Sequence, residues 1–98
     1  MANEIRANYD ELDQVATRFA NQAQAIQEML QQVQGSLQKL EGNWIGLGHD
    51  KFFDEMQRLV FPVTHRLIDA LEAAGRKTQE VSRTVKGAEQ QAGGLFTH

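Results

Sequence analysis

Gly42-Asn43-Trp44-Ile45-Gly46-Leu47-Gly48 lies near the middle of this 98-residue chain, at the junction of two long apolar-periodic segments. It holds the single tryptophan of the sequence, and its three glycines free the backbone for φ values that other residues resist. A large aromatic set in so pliable a joint predicts two arms folded against each other, with the ring packed at the bend.

Upstream of that joint, Ile5, Tyr9, Leu12, Ala16, Phe19, Ala23, Ile26, Leu30, Val33, Leu37, Leu40 and Trp44 follow one another at intervals of four, three, four, three. Spacing of this kind is a heptad seam, and it predicts one long helix with a narrow contact stripe. The many intervening glutamines form helices well and read as a solvated face. Asn8 with Glu11 resembles a capping pair, which sets the regular helix at about residues 8–41, roughly 50 Å at 1.5 Å per residue, with Gly42 as its stop.

Downstream, the seam is carried by Phe53, Met56, Val60, Val63, Leu67, Ala70 or Leu71, Ala74, Val81 and Val85. Phe52, Leu59, Phe61 and Ile68 fall outside it, so this arm has a second surface to bury, which one antiparallel partner helix cannot cover. Asp54 with Arg58 and Glu72 with Arg76 are acid-before-base pairs of helical spacing. Pro62 removes one backbone donor and its ring opposes the Arg58 carbonyl. Because the seam keeps its phase from Met56 to Leu67, Pro62 is expected to kink one continuous helix rather than break it. The second helix is set at about 49–90, after a turn at about 42–48, and Gly93-Gly94 make 91–98 a flexible tail. The fold class is therefore all-α: a single-domain antiparallel two-helix hairpin with the Trp44 turn at the bend, two copies packing into an elongated four-helix bundle.

Composition narrows the function. Thirteen acidic and ten basic residues are well mixed, leaving no basic stripe for nucleic acid. There is no cysteine, hence no disulfide framework and no thiol nucleophile. Met1 to Glu28 lacks the basic head and apolar stretch of a Sec signal, and no run is long and apolar enough for stable membrane insertion. His49, His65 and His98 lack second ligands at helical spacing, and no phosphate loop, nucleophile elbow or carboxylate pair is present. No catalytic residue, cofactor or metal site is expected; His49-Asp50 reads as structural, with Asp50 favoured near a helix start.

With Trp44-Ile45-Gly46 between two long helices, a length near one hundred residues, and Phe52 or Phe53 following the glycine, the chain resembles the Trp-x-Gly (WXG) family, the Esx or early-secreted-antigen-like substrates of type VII secretion. The resemblance covers essentially the whole chain. It implies a non-enzymatic, virulence-associated protein that is cytoplasmic before export and is then secreted folded, as a dimer, without a cleavable signal peptide, by a machine containing an FtsK-like ATPase. Its role would be that of secreted substrate, adaptor or effector partner. The extra apolar residues of the second arm favour a homodimer over a heterodimer with a WXG paralogue.

In that family the export signal joins the Trp-x-Gly turn, here Trp44 and Gly46, to a Tyr-x-x-x-Asp/Glu element near one C-terminus. The only tyrosine here is Tyr9, on the seam, and Val85 stands where the C-terminal tyrosine would be. A looser form of the pattern is met by Val85, Glu89, Ala92 and Phe96, which are the candidate C-terminal signal. Hairpin and dimer packing is assigned to Phe19, Ile26, Leu30, Val33, Leu37, Phe52, Phe53, Met56, Leu59, Val60, Val63 and Leu67. The competing readings are a cytoplasmic helical scaffold or chaperone-like module, and a secreted membrane-active protein.

Overall fold

The computed structural model describes the backbone of residues 2–96 and the side chains of residues 8–91. Helix α1 spans Ala2–Asn43, α2 spans His49–Glu55, Met56–Val60 form a π-helical turn, and α3 spans Phe61–Phe96. The α1 and α3 helices pack side by side and antiparallel, giving a hairpin rod of 78 × 18 × 14 Å.

The bounds differ from the sequence reading at both ends. Residue Asn8 lies inside α1 rather than at its start, because the seam spacing that organises the helix already includes Ile5. The backbone stays helical to Phe96 through Gly93-Gly94, where a flexible tail was expected. Of that tail, Thr97 and His98 lie outside the described residues.

Along α1 the seam is used as read. Tyr9, Ala16, Ala23 and Leu30 are buried, with Leu12, Phe19, Ile26 and Leu37 half-buried between them. Towards the turn, Val33 and Leu40 become exposed. A local core forms from Ala23, Leu30 and Ile68, with Ile26, Phe61 and Leu71 packed around it. Nearer the chain ends the helices come close together at Gly75, where a Cβ would stand 3.3 Å from the Phe19 Cβ and 3.4 Å from the Ala16 carbonyl oxygen.

The second arm needs a correction. Phe53 and Met56 face α1 as expected, but beyond them Val60, Val63, Leu67 and Val81 are exposed. The neighbour one step later occupies each inward place: Phe61, Thr64, Ile68 and Ser82, with Gly75 replacing Ala74. The π-turn is the cause. Its wider loop closes with the Phe61 N–H donating to the Met56 carbonyl, five residues back, and so inserts one extra residue into the helical phase. The proline does sit in a continuous helical path, yet the phase argument used to infer that path fails, because the adjustment consumes a residue.

Two of the polar side chains rotated inward satisfy themselves on their own helix. Thr64 Oγ1 donates to the Val60 carbonyl at 2.8 Å, and Thr78 Oγ1 donates to the Ala74 carbonyl at 2.7 Å. Arg58 pairs with Asp54 at 3.2 Å as predicted. On α3 the close ion pair among the described residues is Lys77 with Glu80, at 3.4 Å, rather than Glu72 with Arg76.

Candidate functional site: the aromatic turn and the open face

Helix α1 ends in a local hydrogen-bonding arrangement. The Trp44 N–H donates to the Leu40 carbonyl at 2.7 Å, and Asn43 Nδ2 donates to the Lys39 carbonyl at 3.0 Å. Gly42 was the expected stop, but left-handed backbone appears two and four residues beyond Trp44, at Gly46 (φ 132°) and Gly48 (φ 85°). There the chain reverses, and α2 begins as the Phe52 N–H donates to the Gly48 carbonyl at 2.9 Å.

The reversal folds α2 back over the indole. Trp44 is half-buried, with ring centroids 5.4 Å from Phe52, 5.8 Å from Phe53 and 5.8 Å from His49. His49 in turn lies 4.7 Å from Phe53, and Phe52 meets Phe53 edge-on at 5.2 Å. These tilted and edge-to-face contacts are the favoured aromatic geometries. His49, read from sequence with Asp50 as a structural pair, is thus also a member of the ring cluster, while its Nδ1 stands 2.9 Å from Asp50 Oδ1. On the outside of the same turn, Ile45 and Leu47 are 96% and 99% exposed.

A second feature runs along the rod. At about 100° per residue, the exposed Val15, Met29, Val33 and Leu40 form one stripe on α1, roughly 100° round from the buried Tyr9, Ala16, Ala23 and Leu30, and Val33 and Leu40 are the seam residues that drift onto it towards the turn. Val63, Leu67, Ala74 and Val81 form another on α3, offset in the same rotational sense. Because the helices are antiparallel, equal senses place both stripes on one side of the hairpin. Shallow grooves on that side are lined by Val15, Phe19 and Leu71 with Arg18 and Gln22 at the edge, and by Leu12, Val15 and Val85 with Asn8 and Glu11. The opposite groove is lined by Gln24, Gln27, Glu72, Arg76 and Gln79 around Ala16, Ala20 and Gly75. One face of the hairpin is apolar and open; the other is polar.

Near the chain ends, Ser82 is only 2% exposed, and its Oγ lies 2.5 Å from Asp13 Oδ1 and 3.2 Å from the Tyr9 carbonyl oxygen. The single hydroxyl proton is donated across the helix interface. Lys86 Nζ sits 4.9 Å above the Tyr9 ring. Tyr9 and Asp13, whose spacing imitates an export motif, are therefore both engaged with α3.

The candidate C-terminal signal is helical in backbone throughout, with Val85 and Glu89 half-buried and Val85 set against Leu12 and Val15. The side chains of Ala92 and Phe96 lie outside the described residues. Of the packing residues, Phe19, Ile26, Leu30, Leu37, Phe52, Phe53 and Met56 are buried or half-buried, whereas Val33, Leu59, Val60, Val63 and Leu67 are exposed. Ser82, Gly75 and the ring role of His49 escaped sequence reasoning. A short hydroxyl or a glycine inside a helical pattern carries no periodic signal, although the run Ala73-Ala74-Gly75 opposite Ala16 and Ala20 was a cue to close approach.

A hairpin of two long helices with a Trp-x-Gly bend agrees with the family comparison, in which the model for WXG100, proteins of 100 residues with WXG, matches residues 4–90. The chain belongs to the WXG100 family. No curated protein and no solved structure matches it significantly. WXG100 proteins are in general small, non-enzymatic helical proteins associated with type VII secretion, and they generally form dimers. No helix among the described residues is long and apolar enough to cross a membrane.

Proposed function

We propose that this WXG100 chain is exported folded, as a dimer, by a type VII machine with an FtsK-like ATPase, and serves as a non-enzymatic substrate, adaptor or effector partner. The observation that carries the reading is the open apolar face, where Val15, Met29, Val33 and Leu40 of α1 lie beside Val63, Leu67 and Val81 of α3 with nothing over them. A second hairpin laid on that face completes a four-helix bundle and leaves the glutamine-lined faces outward. Self-association is favoured over a paralogue, because the face is apolar on both helices and imposes little like-charge conflict between two copies.

In an antiparallel dimer, the Trp44 turn of one copy and the arm from Val85 to Phe96 of the other form the proposed export surface, with Trp44 and Gly46 fixing the turn and Val85, Glu89, Ala92 and Phe96 supplying the arm. Sedimentation velocity of the purified chain at micromolar concentration tests assembly: a dimer is expected, and a well-folded monomer refutes it. A monomer that dimerises only with a second WXG100 chain overturns the homodimer and keeps the bundle. Export is tested in the native host after deletion of residues 85–98; unchanged secretion removes the C-terminal signal from the reading.

A further inference from the structure

Helix α3 carries two interleaved apolar stripes, and its rotation decides which of them meets α1. In the structure the inward set is Phe61, Thr64, Ile68, Leu71, Gly75, Thr78 and Ser82. One residue earlier at most of these places stands a set that also matches the seam of α1 at heptad spacing: Val60, Val63, Leu67, Ala74 and Val81. At these five places the second set is wholly apolar, with Ala70 and Lys77 filling the two places left, and its Val60, Val63, Leu67 and Val81 are turned outward. Phe53, which precedes the π-turn, and Met56, which opens it, keep their inward places, so the whole displacement arises within Met56–Val60.

We propose that Pro62, the π-turn before it and the Ser82 hydroxyl together set the rotation of α3, and thereby select which apolar stripe is left open to a partner. An α-helical path through this segment would aim the proline ring at the Arg58 carbonyl, with no N–H to bond it. A widened turn is one way a helix makes room for such a residue, and here it ends at Val60, two residues before Pro62. Annealing it to α-helix would turn α3 by about 100° and slide it about 1.5 Å. Leu67 would then replace Ile68 against Ala23, and Val81 would replace Ser82 against Asp13. The Ser82 bond to Asp13, 26 residues downstream of Met56, opposes that rotation from the other end. The device is internal to one chain and stands whether or not the open face binds a second copy.

The absence of native cysteine makes disulfide trapping a clean test. Ala23→Cys is paired with Ile68→Cys to report the observed rotation, or with Leu67→Cys to report the alternative, and intramolecular bonds are scored by peptide mass. In the otherwise native chain the 23–68 bond should dominate. With Pro62→Ala and Ser82→Val together, the ratio of 23–67 to 23–68 should rise more than tenfold. Deleting Gln57 from that variant removes the inserted residue and should restore the native ratio.

A ratio within twofold of native in the double variant, or no restoration on deleting Gln57, overturns the proposal. If the double variant loses its helical circular dichroism, Pro62→Ala alone supplies the test. It restores a backbone donor and should raise the ratio by a smaller factor, and an unchanged ratio there refutes the device.

Discussion

Replacing Trp44 by alanine removes the ring on which the bend closes. The indole contacts His49, Phe52 and Phe53 at centroid separations of 5.4 to 5.8 Å, so most of the apolar surface of α2 closes on it. A buried aromatic covers about 150–250 Å²; because Trp44 is half-buried, the low figure applies, and at roughly 25 cal/mol per Å² it corresponds to almost 4 kcal/mol. The bend stands at a free end of the rod and can close partly over the void, which brings the expected loss to about 3 kcal/mol. Trp44→Phe keeps most of the area and should lose about 1 kcal/mol. Urea titration followed by far-ultraviolet circular dichroism reads both values; the signal must be backbone, since the chain has one tryptophan. Protein concentration is held fixed, because association adds a concentration-dependent term. A loss below about 1 kcal/mol for Trp44→Ala would refute the plug argument. A variant that is stable and dimeric but no longer exported would assign the ring to recognition instead.

Two glycines should respond in opposite directions: Gly35→Ala, in the interior of α1 with open space around it, should stabilise by about 0.5–1 kcal/mol, whereas Gly48→Ala, at φ 85°, should lose about 1 kcal/mol although Trp44 leaves room for a methyl; thermal melts decide both. Ser82→Ala should cost about 1.5 kcal/mol, the low end for a bond to a carboxylate, because the exposed Asp13 regains water; a double-mutant cycle with Asp13→Ala should return a coupling of the same size, and zero coupling would dismiss the bond. Val33→Glu combined with Leu67→Glu puts two charges on the open face and should abolish the dimer in sedimentation while leaving the hairpin helical; a persistent dimer would move the interface elsewhere.

How much of this was legible in the sequence depends on what each element needs. α1 requires nothing but the four-three spacing, and Tyr9, Ala16, Ala23 and Leu30 are buried where that spacing puts them. The bend was legible because glycine density and a lone tryptophan are local signals. Rotation of α3 was not, since a π-turn adds a residue that counting at 3.6 per turn cannot register, and Pro62 marked the place without revealing the response. Periodicity then favoured Val60, Val63 and Leu67 for the seam because they are apolar, whereas the inward places fell to residues that include Thr64, Thr78 and Ser82, whose hydroxyls find carbonyl or carboxylate acceptors within the hairpin. The Asn8–Glu11 pair misled for a simpler reason: a capping motif is a local preference, and the helix already in progress overrode it.

The shape of the hairpin explains why its apolar residues divide as they do. A helix with side chains is about 10–12 Å across, so a rod 14 Å in its thinnest direction is one helix thick. A single layer cannot enclose a core, because every helix has solvent on two sides whatever its neighbour does. Its seam can shield only a narrow line of residues, and Ala16, Ala23 and Gly75 bring the two backbones together there without contributing much apolar area. Larger side chains such as Val15, Met29 and Leu67 have no place in that line and are left to one side. A layer covering them would have to come from outside the chain, and the proposed second hairpin, presenting the same face, is the simplest structure that would supply it.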